Sequence, residues 1–174
     1  MQTKLAAKSR RRGLSLLEMM AATAIMATIT ASVVVVMRSG YAVWNAQEAD
    51  IDVLENGYGV LRHFVTQMRQ ATAVTAITAS GNALGSLSFT TPTPVTRTWA
   101  RNASNDVYFN NSTNNHLLAK NINSMTFTGY KADGITATTT VGEIQVVQCQ
   151  VQITLPRGGG VTRTLTTRAW IRAW

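Results

Sequence analysis

The chain has one cysteine, two histidines and three prolines in 174 residues, and only 14% of it is charged. A lone thiol, Cys149, excludes an intramolecular disulfide, so cysteine usage does not fix the compartment. No group of Cys and His has the spacing of a metal site. Acids are scarce: eight Asp and Glu against sixteen Lys and Arg, a net charge of +8. Such a balance often marks a nucleic-acid binder. Here Lys4, Lys8, Arg10, Arg11 and Arg12 supply five of those positive charges before Gly13, with no acid among them. The basic character belongs mostly to an N-terminal leader, and no nucleic-acid partner is expected.

Proline and glycine are also missing from residues Leu14 to Met37, and so is charge, except at Glu18. Met19 to Met37 alone is long enough to cross a bilayer core as a helix. Basic residues precede the run and only Arg38 follows closely, which puts the N-terminus in the cytoplasm and the rest outside. Three readings compete. A secretory signal has a shorter apolar core and a small-residue cleavage site, whereas this run ends Val33-Val34-Val35-Val36-Met37. A plain signal-anchor fits the length but leaves Glu18 unexplained, since a charge deep in a bilayer costs about 2.5–3.5 kcal/mol. The third reading is a cut on the cytoplasmic side, between Gly13 and Leu14, with the apolar helix retained. A blander role for Glu18 is to sit at headgroup level.

The hexapeptide Gly13-Leu14-Ser15-Leu16-Leu17-Glu18 resembles the type IV prepilin cleavage motif, shared by type IV pilins and type II secretion pseudopilins. The resemblance implies that a prepilin peptidase cuts after Gly13 and N-methylates Leu14. The family's usual first mature residue is Phe, so Leu14 departs from the common pattern. It also implies a role for Glu18: the acid pairs with the freed α-amine of an adjacent subunit when helices bundle in a filament core. A fixed ammonium neighbour offsets the desolvation of the carboxylate, and only the correct axial stagger joins the two charges.

Beyond the apolar run, no proline occurs from Trp44 to Ala73. Ile51, Leu54, Tyr58, Leu61, Val65 and Met68 recur at spacings of three and four, predicting an apolar seam on a continuing helix. Helix from Leu14 to about Ala71 would run roughly 85 Å at 1.5 Å per residue. Gly40, Gly57 and Gly59 weaken the helix, and a bend or loosening is expected near Gly40 or Gly57. After Thr72 the composition turns to Thr, Asn, Ser and Val, with short β-prone runs at Ala73–Ile77, Ser86–Thr91, Val95–Trp99, Asp106–Asn110 and His116–Lys120. Stronger ones follow at Asn123–Tyr130, Glu143–Leu155 and Val161–Trp170. Val147, Cys149, Val151, Ile153 and Leu155 alternate with polar residues, so one face of that strand is buried. Pro156 to Gly160 reads as the turn of a long terminal hairpin.

These patterns predict an α+β fold: a long N-terminal helix, transmembrane then amphipathic, packed on an antiparallel sheet. The expected parts are a leader (1–13), a transmembrane and filament-core helix (14–37), an amphipathic helix (38–73) and an antiparallel β domain (74–174). This too is pilin-like. The segment Leu61 to Val74 and the terminal hairpin resemble J-type minor pseudopilins and W-type minor pilins.

No residues advertise catalysis. Cys149 with His63 or His116 would make a dyad, yet Cys149 lies on the apolar phase of a strand, where free cysteine packs as a small hydrophobe. Asp50, Asp52 and Glu55 cluster on a helix and could hold a cation, but calcium takes six to eight oxygens, usually supplied by a loop, and a solvated helix face explains the three acids better. Gly158-Gly159-Gly160 joins strands rather than opening a helix, so it is a turn and not a phosphate loop. Trp99, Trp170 and Trp174 with Arg97, Arg101, Arg168 and Arg172 could grip single-stranded DNA, but packing and a cationic strand face explain them as well. The expected protein is a non-enzymatic minor pseudopilin without cofactors, single-pass in a bacterial inner membrane with a periplasmic domain. Its expected partners are the prepilin peptidase, sister pilin or pseudopilin subunits, and a secretion or pilus assembly platform. Two alternatives stay open: a minor pilin of a type IV or competence pilus, and a signal-anchored periplasmic binding domain.

Overall fold

The computed structural model describes residues 15–156 and 159–171. Gly13, Leu14, Gly158, Arg172 and Trp174 lie outside the described residues. Helix α1 spans Leu16–Met68. The chain forms two compact units, Met1–Trp44 and Asn45–Trp174.

In the first unit α1 is exposed on all sides. Its hydroxyl side chains turn back onto the helix. Thr23 donates to the Met20 carbonyl (3.0 Å), Thr28 to Ile25 (2.8 Å), Thr30 to Met26 (2.8 Å) and Ser32 to Thr28 (2.8 Å). Such back-bonding satisfies a hydroxyl without a solvent partner. Most of the large side chains left outward are Leu, Ile, Val and Met, joined by Tyr41 and Trp44 at its end.

In the second unit, the rest of α1 packs on two antiparallel sheets. Strands β1 (Ala73–Ile77), β2 (Ser86–Thr90), β3 (Thr96–Arg101), β4 (Val107–Asn110) and β5 (Asn115–Ala119) form a five-stranded meander in sequence order. Strands β6 (Ile122–Tyr130), β7 (Val146–Leu155) and β8 (Val161–Trp170) form the second sheet, also in sequence order. The single sheet expected from the pattern is therefore split. The chain leaves the first sheet at Asn121, which holds a positive φ of 60°. The sheets are stitched where the Gly85 N–H donates to the Met125 carbonyl at 2.8 Å. A Cβ at Gly85 would fall 2.2 Å from that oxygen, so only glycine permits the approach.

The predicted strands occur within a few residues of their expected ends, and the helix stops at Met68 rather than near Ala71. Thr72 N–H is already committed to the Thr90 carbonyl (2.8 Å), which draws the chain into the sheet. The seam is rotated from the one predicted. Val53, Gly57, Val60, Leu61, Phe64 and Met68 are buried. Ile51 and Tyr58 are exposed, and Leu54 and Val65 half-buried. The helix runs unbroken through Gly40, Gly57 and Gly59. Gly57 is not a loose point but a buried one, packed against Leu165 of β8 and Ile153 of β7. A Cβ there would meet Leu165 Cδ1 at 2.7 Å.

Phe64 ties helix to both sheets. Its ring lies 5.4 Å from Trp99 on β3 and 5.9 Å from Phe127 on β6. Trp99 is fully buried, stacked on Phe89 at 4.8 Å and tilted against Phe109 at 5.2 Å. Val147, Cys149, Val151 and Ile153 supply the inner face of β7, all fully buried, as the alternation predicts. At the hairpin's far end Leu155 is half-buried and Val161 exposed, so the tip runs beyond the core.

Candidate functional site

The first turn of α1 carries the one carboxylate of the apolar run. The backbone N–H of Ser15 donates to Glu18 Oε2 at 2.9 Å, and the N–H of Glu18 donates to Ser15 Oγ at 3.2 Å. Met19 N–H bonds to the Ser15 carbonyl at 3.1 Å, which makes Ser15 the N-cap and Glu18 the third helical residue. This is a capping box: two amide donors that an α-helix leaves without partners at its start are satisfied reciprocally. Ser-x-x-Glu ahead of an apolar run is a sequence signature of it, carried by the spacing of Ser15 and Glu18 rather than by the charge. An ionised carboxylate offers about four acceptor positions, so one cap bond leaves Glu18 able to take a further donor. The carboxylate also sits at the positive end of the helix dipole.

From that cap the helix presents large exposed side chains: Leu16, Leu17, Met19, Met20, Ile25, Met26, Ile29 and Val33 to Met37. It is long and apolar enough to cross a membrane.

The other candidate residues are not drawn together. His63 is half-buried, and its Nδ1 accepts from Trp99 Nε1 at 3.1 Å while its ring stands edge-on to Phe109 at 4.6 Å. Burial, then the Arg97 charge, lower its pKa. His116 is exposed on β5. Cys149 is fully buried on β7, paired in register with Phe127 and Thr167, and burial pushes its thiol pKa upward. A nucleophilic cysteine needs the opposite shift. Among the described residues, no three His, Cys, Asp or Glu side chains are placed to hold a metal. The aromatic–basic set is dispersed as well. Trp99 is in the core and Trp170 is exposed. Arg97 donates to Gln67, Arg101 to the Ile122 carbonyl, and Arg168 to Gln148 while lying over the Tyr130 ring at 4.7 Å.

The family described as "Prokaryotic N-terminal methylation motif" matches residues 8–34. That span includes Gly13, Leu14 and the Ser15–Glu18 cap. No curated protein and no solved structure matches the chain. The chain thus carries a prepilin-type N-terminus, and one long helix, apolar and exposed in its first part and packed on two antiparallel sheets in its last part, is consistent with a type IV pilin-like protein. The motif implies processing by a prepilin peptidase and assembly with other pilin subunits. With the apolar helix it fits a single-pass inner-membrane anchor, and the prepilin-like family is structural rather than catalytic.

Proposed function

We propose that this protein is a minor pseudopilin, a structural subunit of a type II secretion pseudopilus. The observation that carries the reading is the capped helix start. A carboxylate is fixed in the first turn of an exposed apolar helix, within the span matched by the methylation motif. Residues 1–13 are the leader, cut after Gly13. Cleavage leaves Leu14 as the mature terminus, N-methylated and directly before the cap. Residues 14–37 anchor the subunit in the inner membrane and later enter the filament core. The rest of the helix, to Met68, and the β domain that begins at Ala73 lie in the periplasm.

Glu18 then has two physical tasks. The α-ammonium of Leu14 and the helix dipole place positive charge together, which is unfavourable without a nearby anion. Glu18 supplies it in its own chain through the cap and keeps acceptor capacity for the amine of an adjacent subunit. The ten-residue strands of the terminal hairpin support the minor-subunit reading. The same N-terminus serves a minor pilin of a type IV or competence pilus. Co-purification with secretion or with pilus subunits separates the two.

Intact mass of the membrane-extracted protein tests processing. The wild type should begin at Leu14, with a methyl group added. Gly13→Val should remain full length, because a β-branched residue does not fit where the peptidase accepts glycine. A wild-type chain beginning at Met1, or beyond Met37, would refute the reading.

A further inference from the structure

A sheet edge presents unpaired backbone N–H and C=O groups, a template on which a further strand can form. Among the described residues, the other edges are short, irregular or covered. β1 and β5 have five residues each, and their pairings carry register shifts at Val74/Ala76 and Val107/Tyr108. β6 is covered on its outer side. There Met125 N–H donates to the Ala83 carbonyl (3.1 Å), and the Gly129 carbonyl accepts from Thr138 (2.9 Å). β8 has no such protection. It is ten residues long, pairs with β7 in one unbroken register, and has no strand on its other side. It contains neither proline nor glycine.

The direction of its backbone groups follows from one bond. Ile171 N–H donates to the Gln145 carbonyl at 2.9 Å, toward β7. Backbone groups alternate sides along a strand, so Thr162, Thr164 and Thr166 turn their N–H and C=O to the free edge. All three are exposed. The strand borders an open groove of about 730 Å³, with Thr166 on one bank and Tyr58, Arg62, Val65 and Arg69 of α1 on the other. Charge selects the occupant. β8 carries Arg163 and Arg168 and no acid, and the groove adds Arg62 and Arg69 against Glu55 alone. Among the described residues, the side chains of Arg62, Arg69 and Arg163 have no ion-pair or hydrogen-bond partner. A second copy of β8 would bring arginines to arginines. We infer that the free edge of β8 takes an extended acidic segment of a partner protein as an added strand. Its backbone bonds to Thr162, Thr164 and Thr166, about 4.8 Å beyond β8, and its carboxylates answer the unpaired arginines. In strand addition, main-chain bonds give affinity and alternate side chains give specificity. This surface lies within the second unit and does not depend on the filament reading.

Fluorescence anisotropy tests this with the full-length protein in detergent micelles. The probe is a labelled peptide of alternating Glu and Val, about eight residues long, with both ends blocked. It should bind saturably, and the same peptide with Lys in place of Glu should bind about tenfold more weakly. N-methylation of alternate amides separates strand addition from simple ion pairing. On one set of alternate residues it should abolish binding, and on the other it should leave binding intact. In the protein, Thr164→Pro removes only an outward N–H, a change that edge strands tolerate, and should weaken the Glu probe about tenfold. Arg62→Glu combined with Arg69→Glu should reverse the preference between the Glu and Lys probes. Circular dichroism checks that each variant is folded, and the N-methylated peptides read the same contact on the unaltered protein. Failure of the Glu probe to bind would overturn the inference, as would equal binding of the two N-methylated forms or of the Glu and Lys probes. So would a dimer of the protein alone that Thr164→Pro abolishes, because the occupant would then be a second copy.

Discussion

Ser15 and Glu18 hold each other across the first turn of α1, each accepting the other's backbone N–H through its side chain. One residue thereby carries two separable properties. Its oxygen caps the helix, and its charge is the only one in the apolar run. Both would be lost together in a Leu substitution, so a wider series is needed to tell them apart.

Glu18→Gln keeps an acceptor for the Ser15 N–H and removes the charge. Ser15→Ala keeps the charge and loses one cap bond, at about 1 kcal/mol of helix stability. Glu18→Leu loses both. All three should insert and be cut after Gly13. Co-purification with sister filament subunits should fall for Glu18→Gln and Glu18→Leu and stay near wild type for Ser15→Ala. Normal incorporation of Glu18→Gln would reduce Glu18 to a capping residue and remove the charge-pairing role, leaving the pilin-like assignment in place.

Much of this architecture was legible in the sequence, for definite reasons. The Val147 to Ile153 alternation has a period of two and fixes a buried face. Turn residues bracket each short strand. The buried seam differs from the periodic one because Gly57 has no side chain to count, although it lies at the centre of the buried stripe beside Val53, Val60 and Phe64. The row at Ile51 and Tyr58 matched the helical period equally well, and periodicity does not say which of two apolar rows faces the core. Where the two sheets meet is set by a backbone contact between Gly85 and Met125, forty residues apart, which no local pattern encodes. At the N-terminus the charge of Glu18 drew notice, while its spacing from Ser15 carried the cap.

Residues 45–174 form a compact unit with helix, both sheets and a shared aromatic cluster. A fragment beginning near Asn45 should be soluble and monomeric at low concentration, with mixed α/β circular dichroism and a cooperative melt. Size exclusion and thermal unfolding check this. An aggregated or molten product would mean that the core depends on the apolar segment.

His63 should make that fragment sensitive to mild acid. Its folded pKa lies below the ordinary 6.5, from burial and then the Arg97 charge. Between the folded value and 6.5 the unfolded chain binds a proton that the folded chain resists, so stability rises with pH there and is lost as pH falls through the window. Protonation would also convert Nδ1 from the acceptor of Trp99 Nε1–H into a donor facing it. Urea midpoints at about pH 7.5 and pH 5.5 should differ in the wild type. His63→Gln retains an acceptor but does not titrate, and should flatten most of that difference. An unchanged slope would assign the acid sensitivity to other groups.

Two glycines two residues apart offer an internal control for the seating of α1. At Gly59 the helix is exposed and an added Cβ meets nothing within 4 Å, so Gly59→Ala should gain about 1 kcal/mol from helix propensity. At Gly57 the same atom would stand 2.7 Å from Leu165 Cδ1 and 3.4 Å from Ile153 Cγ2. Gly57→Val adds two methyl groups to that contact and a β-branched residue to the helix, and overpacking of this kind costs about 1–3 kcal/mol. The two variants should therefore move the melting temperature of the fragment in opposite directions. Leu165→Ala removes the obstructing side chain. It should destabilise the wild type yet recover part of the loss caused by Gly57→Val, which a double-mutant cycle measures directly. If Gly57→Val is neutral, or if the two changes simply add, then α1 does not rest on β8 at this point and the buried stripe through Val53, Val60 and Phe64 is misplaced.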